Sequence, residues 1–262
     1  LIGIEDLSIR ESARIFVAGF PLAVTPGKVG EALKGVWLHH VARSPVSLGV
    51  SVVLAERISD GFAVLALSTL GVIAYPQYWP AFAFILASLI GFVLFTQFRK
   101  FGLSLIHIFQ RLPLLKLISA QLLEFYEGSH ILFKPRATLT AVFLGTFAWL
   151  GEGVAMYLVL VGLGVETNEN TFFMAVFILS FSTVVGAVSA LPGGIGAAEA
   201  SITGMLTLLV GLQTGTAAAA TLLIRLATLW FGVGLGLVIW TASKDLLVLE
   251  TQENPAAKEH EV

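Results

Sequence analysis

The chain interrupts an apolar run with Pro-Gly twice, in nearly the same words. The first break is Thr25-Pro-Gly-Lys-Val-Gly-Glu-Ala-Leu-Lys34 and the second is Leu191-Pro-Gly-Gly-Ile-Gly-Ala-Ala-Glu-Ala200. In each, a β-branched residue and a Gly follow the Pro-Gly, and a Glu then opens another apolar segment. Glu31 is followed 26 positions later by Arg57, and Glu199 is followed at the same separation of 26 by Arg225. We read this as an internal repeat. A break of this kind frees backbone N–H and C=O groups that lipid cannot satisfy, so protein or a water-filled cavity has to surround it. Either stretch alone could be a Pro-Gly turn between two ordinary helices. Corresponding interruptions in two halves of a chain point instead to the binding site of a transporter.

Lipid is the relevant solvent because hydrophobic residues make up 56% of the chain and charged residues 12%, with a mean hydropathy of +0.89. That composition predicts an all-α polytopic membrane protein. Cysteine is absent, which excludes disulfides, thiolate metal sites and a cysteine nucleophile. The net charge of −2 says little, because placement of charge matters more than its sum in such a chain. The chain begins at Leu with charged residues in its first segment and no signal-peptide pattern, so a piece lacking its N-terminal part is expected.

Residues 1–14 read as an interfacial lead-in. Ile15 to Val24 is too short to span a bilayer, which takes about 20 helical residues, and with Val29 to Val41 it predicts a re-entrant hairpin. Residues 45–75 are long and apolar around Glu56-Arg57-Ile58-Ser59-Asp60. Trp79 to Phe98 reads as a span between the aromatic cluster at 75–80 and Arg99-Lys100. Residues 101–136 mix leucines with charges, and Leu115, Ile118, Leu122, Phe125 and Tyr126 can share one helix face, so this segment is expected to lie on the membrane. Ala137 to Gly164 is the next span, with Glu152 between two glycines. Thr171 to Ala190 and Gly196 to Leu212 flank the second break, Thr214 to Ala242 is the last span, and 243–262 reads as a polar, disordered tail. The whole of 1–242 is one transmembrane domain, with repeat units at about 13–75 and 171–242.

None of the 15 Lys and Arg falls in the loops at 75–80, 164–170 or 212–215. Lys28, Lys34, Arg43, the cluster from Arg99 to Arg136, and Lys244 fall in the other connections, which the positive-inside rule makes cytoplasmic, the C-terminus included. If each hairpin re-enters, the two repeat units have opposite topology. Arg57 lies 12 residues past Pro45 and Arg225 11 past Thr214, at similar depths from opposite faces.

A charge at mid-bilayer costs on the order of 2.5–3.5 kcal/mol on insertion scales, so Arg57, Arg225 and Glu152 need partners or water. One reading pairs Arg57 locally with Asp60 and makes Glu152 a protonated acid that holds helices together. The other places Arg57 and Arg225, with the backbone N–H groups of the hairpin tips, around an anion such as a lipid phosphate, which suits arginine's planar fork. Short helices opening after each break would add their N-terminal dipoles. Glu31, Glu199 and Glu152 then balance the arginines, receive a cationic headgroup or take up protons.

Other chemistries find no motif. His39, His40, His107, His130 and His260 lie outside the predicted spans, and no His-Glu-x-x-His pair, Gly-x-Ser-x-Gly elbow or Walker loop occurs. No metal site, cofactor or nucleic-acid partner is expected. Gly232-Val-Gly-Leu-Gly236 lies inside a span and predicts a helix-packing surface.

The two Pro-Gly motifs together with Glu56-Arg57-Ile58-Ser59-Asp60 resemble the flippase-like transmembrane family, which includes the membrane part of bacterial lysylphosphatidylglycerol synthase/flippases. The similarity runs from about residue 13 to 242. It implies movement of lipids or lipid-linked sugars between leaflets of the cell membrane. Onto this chain it carries Pro26, Gly27, Gly30, Glu31, Glu56, Arg57, Asp60, Pro192, Gly193, Gly194, Gly196 and Glu199, to which the in-membrane charges add Glu152 and Arg225. Only a short tail follows the last span, so no synthase activity is carried over and no enzyme is expected. The leading expectation is a flippase or transporter holding an anionic headgroup between two hairpins. The alternative is a non-transporting membrane subunit that presents lipid to a partner lipid-modifying enzyme.

Overall fold

The computed structural model describes residues 7–72, 79–98 and 119–243, and every regular element among them is helical. The first part of the segment expected on the membrane surface, the basic pair Arg99-Lys100, most of the aromatic cluster at 75–80 and the tail from residue 244 lie outside the described residues. In chain order the helices are α1 (Ile9–Ala18), two 3-10 turns (Phe20–Val24 and Pro26–Ala32), α2 (Leu33–Ala42), α3 (Val46–Val72), α4 (Trp79–Gln97), α5 (Ser119–Leu132) and α6 (Pro135–Gly162). Then come α7 (Glu169–Val188), a 3-10 turn (Pro192–Gly194), α8 (Ala197–Met205), α9 (Thr214–Arg225) and α10 (Phe231–Ala242). Single π-helical turns, Leu206–Val210 and Leu226–Trp230, continue α8 and α9.

Among the described residues, four stretches are long and apolar enough to cross a membrane: Pro135–Gly162, Glu169–Val188, Pro192–Val210 and Thr214–Ala242. Helix α3 has the length, at 27 residues, but carries Glu56, Arg57 and Asp60 in its middle. Phe143, Phe147, Leu222, Phe231 and Val238 are all at least 60% exposed, a density of outward apolar side chains that lipid tolerates and water does not. The protein is therefore a multi-pass membrane protein. The two halves differ in build. The helices flanking the first break, α1 and α2, have 10 residues each, whereas α7 has 20, a full membrane thickness at 1.5 Å per residue.

Helix α7 is the central element, with Phe177 and Ile178 buried against Met156 and Leu160 of α6 and Ile202 of α8. Hydroxyl pairs stitch the same region, Ser182 to Ser201 at 2.9 Å and Thr203 to Thr221 at 2.8 Å, each satisfying polar atoms that lipid would leave bare. A second core forms where α1 and α2 meet α10. Trp37 packs edge-on to Trp240, and the Trp240 indole donates to the Ala18 carbonyl at 2.8 Å. As the small residues of α10 predict, Gly236 lies against Pro21 and the Val17 carbonyl, and Gly232 against Phe20. The surface expectation for 101–136 is only partly open to comparison: α5 packs on α3, with Tyr126 buried and its hydroxyl donating to the Thr96 carbonyl.

Helices α2 and α3 meet glycine to glycine. A Cβ on Gly49 would stand 2.5 Å from the Gly35 Cα, a backbone atom that cannot rotate away. Gly49→Ala is expected to destabilise the protein by about 1–3 kcal/mol through overpacking, read as a lower melting temperature in detergent. An unchanged melting temperature would show that α2 can lift off α3 freely.

Candidate functional site

Each Pro-Gly break is sealed by its own side chains. In the first, the Thr25 hydroxyl donates to the Leu22 carbonyl at 2.6 Å and accepts from the Gly30 amide at 2.8 Å, so one side chain satisfies backbone groups on both sides of Pro26-Gly27. Gly30 has to be glycine, because a Cβ there would stand 2.6 Å from the Thr25 methyl. In the second, the Gly194 and Ile195 amides donate back to Leu191 and Pro192, and the Gly196 amide donates to Glu199 Oε2 at 2.6 Å. That last bond occupies a donor at the head of α8 that an incoming anion would otherwise use. The turns Phe20–Val24 and Pro26–Ala32 pack against the turn Pro192–Gly194, so the two breaks meet inside the protein.

The acid and arginine that follow each break are in contact. Arg57 Nε lies 3.2 Å from Glu31 Oε2, and Arg225 Nε donates to Glu199 Oε1 at 2.6 Å. The first contact is a close ion pair without hydrogen-bond alignment, since neither atom has a hydrogen-bond partner. Around it a network closes. Arg57 Nη2 reaches Asp60 Oδ2 at 3.2 Å and Glu56 Oε2 at 3.8 Å, and Lys34 Nζ pairs with Glu56 at 2.9 Å and with Glu31 at 3.8 Å. Glu31 is 2% exposed and Lys34 7%. Arg225 makes a second bond, Nη2 to the Gly193 carbonyl at 2.7 Å, which ties α9 to the tip of the second break. Arg57 thus pairs with Asp60 one turn away, the local contact expected, and also with Glu31.

Between the breaks lies a cavity of about 510 Å³, the size of a small-molecule site. Lys28, Arg57, Asp60, Glu152 and Arg225 line it together with Trp149, Phe20, Leu179, Gly193, Gly194 and Leu229. Glu152 reaches it because Gly153, beside it, lets α6 close on α7 at Val176. Trp149 donates to Asp60 Oδ1 at 3.3 Å. Pro26, Gly27, Gly30, Pro192 and Gly196 shape the two turns, while Glu31, Glu56 and Glu199 hold the cations that line the cavity or stand behind it. Among the described residues, no group of three or more His, Asp or Glu side chains is arranged to hold a metal ion.

Residues 5–236 match the family model described as the lysylphosphatidylglycerol synthase TM region. The chain belongs to that family. Among curated proteins it is similar to two UPF0104 membrane proteins of Methanothermobacter thermautotrophicus. One is 30% identical, over 81% of this chain and 66% of the relative, and the other 25% identical, over 79% and 67%. It is also similar to a UPF0104 membrane protein of Pyrococcus horikoshii, 24% identical over 89% of this chain and 77% of the relative. The chain thus spans about two thirds of the length of the first of these relatives. No solved structure matches it.

Three features of this site in the family member escape sequence reasoning. Lys28 and Lys34 enter the orientation argument as loop charges, yet Lys34 is buried in the ion-pair network and Lys28 lines the cavity. The signal was present, since both lysines sit inside the repeated motif itself. Trp149 is one helical turn before Glu152 and carries no motif. The π-helical turn after Arg225 supplies Thr228 and Leu229 to the cavity wall, and such turns favour functional sites, but nothing in Leu226–Trp230 announces one. Lys28 also has a left-handed backbone, φ 57°, which costs a non-glycine residue about 1–2 kcal/mol.

Proposed function

We propose that this chain moves a lipid with an anionic headgroup, phospholipid or lipid-linked sugar, between the leaflets of the cell membrane. The headgroup sits in the cavity between the two Pro-Gly breaks, which act as the re-entrant tips of an inverted-topology repeat. The reading is one of transport, not catalysis, with the C-terminus in the cytoplasm. The observation that carries it is the meeting of two corresponding breaks at a cavity lined by charges, inside a protein whose outer surface is apolar. A headgroup crossing a bilayer needs a polar route past the hydrocarbon core, and acids and arginines at matching positions of the two halves would supply one from either side. The matching contacts Glu31–Arg57 and Glu199–Arg225 support the repeat. Membership of a family named for the membrane region of a lipid synthase supports a lipid as cargo.

The test is reconstitution of the purified chain into vesicles carrying a trace of head-labelled phosphatidylglycerol, with the label in the outer leaflet bleached by a membrane-impermeant reductant. The wild type should expose the inner-leaflet pool to bleaching, and Arg57→Ala should not exceed protein-free vesicles while keeping its elution profile. Bleaching confined to the outer half with the wild type would end the transport reading for this lipid.

A further inference from the structure

We propose that Lys28 receives the phosphodiester anion of the cargo in the cavity between the breaks, a site set up by one repeat alone. The inference rests on the cavity being the headgroup site and names which cation does the binding. Both arginines in the cavity are already held. Arg57 faces Glu31, Glu56 and Asp60, and Arg225 is bound by Glu199 and the Gly193 carbonyl. An anion can reach only the remaining N–H groups of either guanidinium, whose charge is already balanced by carboxylates in contact with it. Lys28 lines the same cavity, and its ammonium makes no salt bridge or hydrogen bond at contact distance among the described residues, with Glu31, Asp60 and Glu152 acting on it only from farther off.

The backbone marks the same residue. Counting from the Pro-Gly, Lys28 of the first motif corresponds to Gly194 of the second, and both are left-handed, φ 57° and 67°. The turn demands this conformation, which glycine adopts freely and other residues do not. The second motif meets the demand with glycine, and there the position is closed by Gly186, 3.0 Å from where a Cβ would stand. The first motif instead places a long cationic side chain at the strained position, beside a cavity. Strain of this kind persists where surrounding structure enforces it, and it clusters at ligand-binding sites.

The charge around the site selects the ligand. The other ionisable groups lining the cavity are Arg57 and Asp60 from α3, Glu152 from α6 and Arg225 from α9. With both arginines matched by carboxylates, one free cation faces Glu152, which has no partner among the described residues, and Asp60, which is shared with Arg57 and Trp149. A monoanion adds the least negative charge to a lining in which that single ammonium already faces two carboxylates. A dianion would add a second negative charge beside the same two carboxylates, in a cavity walled by Phe20, Leu179 and Leu229 where such repulsion is weakly screened. A diester phosphate within a lipid headgroup stays a monoanion near neutral pH, whereas free inorganic phosphate divides there between monoanion and dianion and lacks the acyl chains that seat a lipid beside the apolar wall.

The experiment is native mass spectrometry of the purified chain titrated with phosphatidylglycerol, with inorganic phosphate as competitor, on wild type, Lys28→Gly and Lys28→Arg, alongside melting temperatures and the bleaching assay. Lys28→Gly should bind phosphatidylglycerol at least about tenfold more weakly, with a melting temperature equal to or above wild type because glycine relieves the left-handed position. Lys28→Arg should keep most of the binding, and millimolar inorganic phosphate should not displace the lipid. Wild-type affinity in Lys28→Gly would overturn the proposal, as would a fall in its melting temperature together with its binding, which would make Lys28 a structural residue. Displacement by inorganic phosphate would overturn the diester assignment. Lys28-dependent binding without wild-type translocation would sink the transport reading and leave the site standing. Undiminished translocation by Lys28→Gly would do the reverse.

Discussion

Glu31→Ala should lower the stability of the protein by about 3–5 kcal/mol, the usual cost of removing one partner from a buried ion pair. Glu31 is 2% exposed and stands between Lys34 Nζ and Arg57 Nε. Its removal leaves Lys34, itself buried, with Glu56 alone, and leaves Arg57 with Glu56 and Asp60. The loss is larger than the contact distances suggest, because the remaining cations stay desolvated without the carboxylate that balanced them. The measurement is thermal unfolding in detergent, with an expected fall on the order of 10 °C for a chain of this size. The double variant Glu31→Ala/Lys34→Met should recover much of that fall, since it removes the stranded charge and leaves an apolar stem against Phe16, over whose ring Lys34 now lies at 5.2 Å. A fall of less than about 1 kcal/mol, the level of an exposed pair, would mean that water fills this network and that Glu31 is not buried in the membrane-embedded protein.

Much of this network could be read from the chain because it rests on residues that are costly in an apolar stretch. Glu31, Arg57, Asp60, Glu152, Glu199 and Arg225 stand out as charges among leucines and valines, and the equal spacings of Glu31 to Arg57 and Glu199 to Arg225 turn out to be contacts. The breaks were legible for a similar reason, since Pro-Gly in an apolar run has few structural uses. Three-dimensional detail was not. The short first arm could be bounded from the sequence, but its conformation could not, because Phe20–Val24 is as apolar as a helix yet forms a 3-10 turn. Lys28 looked like a loop cation because its left-handed backbone is visible only in coordinates, although Gly at the corresponding place in the second motif was the clue. The partition between held and free cations was likewise invisible, as it depends on which carboxylates the folded helices bring within 4 Å of each arginine.

That partition gives Arg225 a role that charge alone cannot fill. Its guanidinium makes two bonds in different directions, Nε to Glu199 at the head of α8 and Nη2 to the Gly193 carbonyl at the tip of the second break. Gly193 lines the cavity inside the protein, where lipid offers its carbonyl no replacement donor. Arg225→Lys keeps the charge but offers a single point of attachment on a flexible stem, so it can hold Glu199 or the carbonyl and not both in this geometry. If the second tip has to stay docked on α9 for the cavity to exist, Arg225→Lys should lose translocation nearly as completely as Arg225→Ala, by about tenfold or more, the scale set by one charge-assisted bond of 1.5–3 kcal/mol. The vesicle bleaching assay reads this directly. Translocation close to wild type in Arg225→Lys would show that the positive charge is what matters, and would return Arg225 to the group of cations available to the cargo. Loss in both variants, with phosphatidylglycerol still retained through Lys28, would separate the residue that binds the headgroup from the one that holds the tip in place while it moves.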